Sequence, residues 1–142
     1  WDYPQGFHDL LAPFPSLWAV GRNLQLFAEN GVKGYMPQQP VSDGTEMRYL
    51  RNYLFAQLQW RPDRDYREVA DEFCRLYYGE KAGVEIMAYL DLLHASFQQT
   101  QRPLNRHGSF KEDAFVPAAD AILARAAAQA TERDAFVGGG RN

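Results

Sequence analysis

Residues 30–58, NGVKGYMPQQPVSDGTEMRYLRNYLFAQL, decide the fold class. Asn30-Gly31 reads as a helix stop, because glycine enters the left-handed conformation that ends a helix without a steric penalty. Val32 to Met36 is short, carries a β-branched and an aromatic residue and runs into Pro37, which predicts a short strand halted there. After a loop, Asp43 and Glu46 stand three residues apart as a capping box at the head of a helix. Met47, Leu50, Leu54 and Leu58 form the apolar stripe of that helix, and Trp60-Arg61-Pro62 ends it.

Upstream, Trp1-Asp2-Tyr3 is a strand remnant, and Pro4 to Pro15 is too punctuated by proline and glycine for regular structure. Ser16 caps a helix with Leu17, Val20, Leu24 and Phe27 on one face. Downstream, Asp65 and Glu68 repeat the capping pattern before Val69, Phe73 and Leu76, and Gly79 closes that helix. Ile86, Leu90, Leu93 and Phe97 mark a fourth helix, ending before Pro103, and the polar residues 102–113 predict a loop. Pro117 suits the first position of a fifth helix, alanine-rich to Ala135 and anchored by Ile122 and Leu123. Gly138-Gly139-Gly140 reads as a flexible tail.

The β-α-β-α order of the first sixty residues implies parallel strands with right-handed crossovers. Two such strands do not make a stable parallel sheet, which needs neighbours and cover on both faces. The expected class is therefore mostly α with a short parallel β element: the C-terminal end of a (β/α)8 TIM-type barrel followed by a helical extension. Residues 1–60 would be the last βα units, 61–137 a C-terminal helical region and 138–142 a tail. The missing neighbours would come from the upstream part of the same barrel or from a second copy of the chain. The start at Trp1, without an initiator methionine, reads as the interior of a longer polypeptide.

Charge and composition narrow the partners. A formal net charge of -3 with mixed signs provides no basic field for phosphates, which argues against nucleic acid or an anionic membrane surface. No apolar run reaches the roughly 20 residues of a membrane-spanning helix. Cys74 is the one cysteine, so no disulfide can close within the chain, and its place in a helical pattern predicts a small core residue. His94 and His107 are too isolated for a metal cluster, and no phosphate loop or nucleophile elbow is present, so neither metal nor cofactor is expected.

In a barrel the site lies at the C-terminal ends of the strands. Those ends carry Trp1, Asp2 and Tyr3 on one strand and Gln38 and Gln39 after the other, with His8 on a loop that could face the same cleft. Aromatic faces beside a carboxylate and two amides suit a sugar, which offers an apolar ring face and a rim of hydroxyls. The same residues would also serve as barrel core or ordinary surface. A catalytic carboxylate pair would have to draw on Asp2, Asp43 or Glu46, and capping claims the last two, so the chain is expected to be inactive alone.

Trp1-Asp2-Tyr3, Pro13-Phe14-Pro15, Asn30-Gly31-Val32-Lys33-Gly34, Tyr53-Leu54 with Leu58, Trp60-Arg61-Pro62 and Glu72-Phe73 with Tyr77-Tyr78-Gly79 resemble, in this order, the family called domain of unknown function 4838. The resemblance runs over about residues 1 to 95. Members resemble barrel glycosidases, some of them glycoside hydrolase family 163 endo-β-N-acetylglucosaminidases acting on N-glycans. It implies a C-terminal fragment of a hydrolase of β-linked N-acetylglucosamine glycans, with the two catalytic carboxylates on earlier strands and an extracytoplasmic location. Tyr35-Met36-Pro37-Gln38-Gln39 departs from the more usual Glu-Gln-Gly at that place. The alternative is a non-catalytic helical interaction or carbohydrate-binding module.

Overall fold

The structure, a computed structural model, describes residues 1–3, 12–38, 45–100 and 114–130. Five helices form among them: α1 (Leu17–Glu29), α2 (Arg48–Trp60), α3 (Tyr66–Tyr78), α4 (Glu80–Thr100) and α5 (Phe115–Gln129). The chain is mostly helical. Neither residues 1–3 nor 32–36 form a strand, and among the described residues the β element is one parallel bridge between Asp2 and Pro37. The predicted strand was placed too early, because pairing falls on the proline itself. Of the expected loop 4–15, residues 12–15 are described and carry neither helix nor strand, while residues 4–11, the loop at 102–113 and the tail at 138–142 lie outside the described residues.

α1 ends as its sequence predicts. Gly31 takes φ +73°, Gly31 N–H donates to the Ala28 carbonyl and Val32 N–H to the Phe27 carbonyl, the paired bonds of a Schellman stop. Its start differs from the expectation: Ser16 occupies the cap position without a side-chain cap bond, and its hydroxyl accepts from Arg51 instead. The capping box before α2 is also corrected. Asp43 lies outside the described residues, and the Glu46 carboxylate accepts from Arg51 Nη2 at 2.8 Å. At α3 the Asp65 half of the box forms, with its carboxylate accepting from the amides of Arg67 and Glu68 at 2.7 and 3.3 Å.

One cluster of buried side chains runs from Leu17 in α1 to Ala126 in α5. Of the predicted stripes, Leu17, Val20 and Leu24, then Leu50, Leu54 and Leu58, and then Ile86, Leu90 and Leu93 are buried. Leu76 is 64% exposed, and Ala70 and Cys74 take the inward places on α3 beside Val69 and Phe73. On α5, Phe115, Ala119 and Ala126 face inward and the expected anchor Ile122 packs partly against the core, whereas Leu123 is exposed.

Close approach holds α3 to α4. Gly79, at φ +92°, ends α3, and α4 begins at the next residue. A Cβ on Gly83 would stand 2.7 Å from the Cys74 carbonyl carbon and oxygen, so glycine is required for the backbones to meet. Cys74 is fully buried there, and burial, aided by the Asp71 charge, pushes its thiol up to about 12. Arg67 then joins three helices: its guanidinium lies 4.7 Å from the Trp18 ring centroid on α1 and bonds both oxygens of Asp91 on α4.

Candidate functional site

The parallel bridge is where the candidate residues meet. Asp2 N–H donates to the Met36 carbonyl at 3.0 Å, and Gln38 N–H donates to the Asp2 carbonyl at 2.8 Å. A parallel bridge uses the groups flanking its central residue, so Pro37 sits at the centre without needing the N–H it lacks.

Side chains reinforce the pairing. Trp1 Nε1 donates to Gln38 Oε1 at 2.9 Å, which fixes the orientation of an indole that is 74% exposed. Tyr3, 59% exposed, stands on the other side of Asp2. The Asp2 carboxylate accepts twice, from Tyr3 N–H at 2.8 Å through Oδ1 and from the Tyr35 hydroxyl at 2.6 Å through Oδ2. Burial, then the hydrogen bond to Asp2, then the Asp2 charge hold the Tyr35 phenol well above its ordinary value, so it stays a hydroxyl donor. Its ring packs on Phe27 of α1 and Phe55 of α2, with centroids 5.5 and 6.0 Å away.

The structure thus brings Trp1, Asp2, Tyr3 and Gln38 together, whereas His8 and Gln39 lie outside the described residues. Tyr35 was not anticipated as a member of this group. Its signal was present in the alternation, two residues before Pro37, but a phenol in an extended segment reads first as strand packing. With both oxygens engaged, Asp2 organises the edge and is poorly suited to general acid or base work. Of the other acids, Glu46 bonds Arg51, while Glu72 accepts from Tyr53 and Arg64 at 2.6 and 2.8 Å. No group of three or more His, Cys, Asp or Glu side chains among the described residues could hold a metal ion, and no described helix is long and apolar enough to cross a membrane.

The family model for a domain of unknown function, DUF4838, matches residues 1–91. This chain belongs to that family. The match takes in the Asp2–Pro37 bridge and α1 to α3, and stops within α4, so α5 of this DUF4838 protein lies beyond it. No curated protein and no solved structure matches the DUF4838 chain.

Proposed function

We propose that this DUF4838 chain supplies the last βα units and part of the substrate cleft of a barrel glycoside hydrolase that acts on glycans containing β-linked N-acetylglucosamine. The carrying observation is the bridged edge itself, where an exposed indole is fixed by the Gln38 amide beside the exposed Tyr3 ring. Such an edge combines stacking faces with polar groups, as sugar recognition requires. The parallel sense of the bridge supports a barrel setting, with residues 1–60 as its closing units and 61–137 as the helical region beside it. In this reading the carboxylates that cleave the bond belong to earlier strands, and the present chain positions the glycan without cleaving it.

Fluorescence titration with a chitin oligosaccharide and with a high-mannose N-glycan tests the proposal. Binding that shifts tryptophan emission in the wild type, is lost in Trp1→Ala and is weakened in Gln38→Ala supports it. Unchanged affinity in both variants sinks it. Turnover of an aryl β-N-acetylglucosaminide by the chain alone, abolished by Asp2→Asn, would place catalysis here and overturn the division of labour.

A helical interaction module is the second reading, favoured by the outer face of α2. Tyr49, Tyr53, Ala56 and Trp60 follow 4, 3, 4 spacing, and Trp60 is 86% exposed. Tyr77 of α3 extends this face, with its ring centroid 5.8 Å from that of Tyr49. Pull-down lost on Trp60→Ala with glycan affinity intact would select this reading.

A further inference from the structure

Arg51 has a fully buried side chain in the first turn of α2, and its donors run to two separate pieces of chain. Nη1 donates to Ser16 Oγ at 2.9 Å, Nη2 to the Phe14 carbonyl and to Glu46 Oε2 at 2.8 Å each, and Nε to the Glu46 carbonyl at 3.4 Å. Phe14 and Ser16 belong to the segment that enters α1, and Glu46 to the segment that enters α2. Those two segments are the ends of the connections that leave the bridged residues Asp2 and Pro37.

Two further anomalies fall at the same point. Met47, between Glu46 and the first turn of α2, has φ +49° and ψ +29°, a left-handed conformation that an unbranched L-residue adopts only under constraint. Its carbonyl accepts from Arg51 N–H at 2.9 Å, and its sulfur receives the Tyr78 hydroxyl at 3.9 Å. The second carboxylate oxygen of Glu46, Oε1, is buried without a hydrogen bond, although the Phe14 amide lies close enough to favour the charge. The Glu46 charge adds to burial in raising the phenols of Tyr78 on α3 and Tyr89 on α4. A buried guanidinium, a strained backbone and an under-bonded carboxylate in one place are each destabilising alone, and their coincidence marks a junction that the rest of the fold holds closed.

We propose that Glu46, Met47 and Arg51 form a latch that makes the segments entering α1 and α2 move as one unit. Closed, the Arg51 fork spans both segments. Opening releases Phe14, Ser16 and Glu46 together and lets Met47 relax to right-handed φ. Residues 14–16 and residue 46 are then held by one side chain, so loss of that side chain frees both together. This coupling does not depend on the glycan reading, because it concerns the junction and not the edge.

Amide exchange measured by NMR on the full chain tests it. In Arg51→Met, exchange at the Phe14 and Ser16 amides and at the Glu46 and Arg48 amides is expected to rise together, by tenfold or more, while the α3 and α4 amides stay more protected than these four. If Arg51→Met does not fold, Arg51→Lys keeps the charge, loses the fork and gives the same joint loosening. Ser16→Ala removes one bond but leaves Phe14 and Glu46 on the fork, so both segments stay protected. Loosening of one segment alone in the Arg51 variants, or protection equal to wild type in both, overturns the latch.

Discussion

The α3–α4–α5 bundle and the Arg51 junction are held by opposite means. In the bundle, small residues let helices approach and apolar side chains fill the space, as at Gly83 against Cys74 and at Ala119 and Ala126 on α5. At the junction one guanidinium reaches backbone and side-chain oxygens that no apolar contact could satisfy. Apolar packing is tolerant, since neighbouring atoms can shift and share the loss. A buried polar network is not, because removing one member leaves the others desolvated and unpaired.

The largest effect is therefore expected at Arg51. Arg51→Met should lower stability by about 3–5 kcal/mol, the usual consequence of breaking a buried ion pair from one side. Urea denaturation of the two proteins measures it. A loss below that of an ordinary surface substitution would mean that the junction is no more demanding than the bundle, and the contrast would fail.

Gly83→Ala probes the other region. The added methyl meets the Cys74 and Arg75 backbone, which cannot rotate away, while alanine improves helix propensity. A net loss of about 2 kcal/mol is expected from overpacking. Because the strain is shared along α3 and α4, Gly83→Ala should leave exchange at Phe14 and Ser16 unaltered. Thermal melts with amide exchange check both halves of that statement.

This division also explains what could be read in the sequence. Helices α1 to α4 were visible because apolar spacing, Asp65, Gly31 and Gly79 act locally, each within a turn of its own position. Arg51 was hidden, although it lies at helical spacing from Met47, Leu54, Phe55 and Leu58 and thus on the apolar face of α2. A lone arginine on that face carries no mark of its acceptors, and two of these lie 35 and 37 positions away. That distance defeated the capping reading of Ser16, and the same guanidinium, only five residues on, takes the Glu46 carboxylate away from its capping role. At the candidate site, the joining of Trp1 to Gln38 followed from β-α-β order, whereas the Tyr35–Asp2 bond needed the fold.

The charge on Glu46 gives a smaller effect with a definite sign. Burial outweighs the attraction of Arg51 and of the Phe14 amide and holds its carboxyl above the ordinary 4.5. The folded protein then binds this proton more tightly than the unfolded chain. The stabilisation is complete below pH 4.5 and is lost as pH rises through the folded-state value. Other carboxylates add their own slopes, so the readout is the difference between wild type and Glu46→Gln in urea midpoints from pH 4 to 8. Glu46→Gln should gain on wild type as pH rises across that window. A difference that is flat, or that runs the other way, would show that Arg51 dominates burial at this carboxylate.

The smallest effect belongs to a pair with better geometry than the buried one. Arg61 Nε and Nη2 donate to the two oxygens of Asp63 at 2.9 and 2.8 Å, a two-bond fork just after α2, but both side chains are well exposed. The hydrogen bond from Arg61 draws the Asp63 carboxyl down to about 2, so the pairing is visible to a proton. Water solvates both partners when they separate, and salt screens what attraction is left, so the pairing should not carry over into global stability. In Arg61→Ala the Asp63 carboxyl, followed by NMR titration, should move back up toward 3.8 while the melting temperature stays where it was. Raising the ionic strength should weaken the wild-type shift and leave the Arg51 junction closed, since that pair is shielded from solvent ions. A melting temperature that falls with Arg61→Ala as it does with Arg51→Met would mean that geometry decides the worth of an ion pair here, and that burial does not.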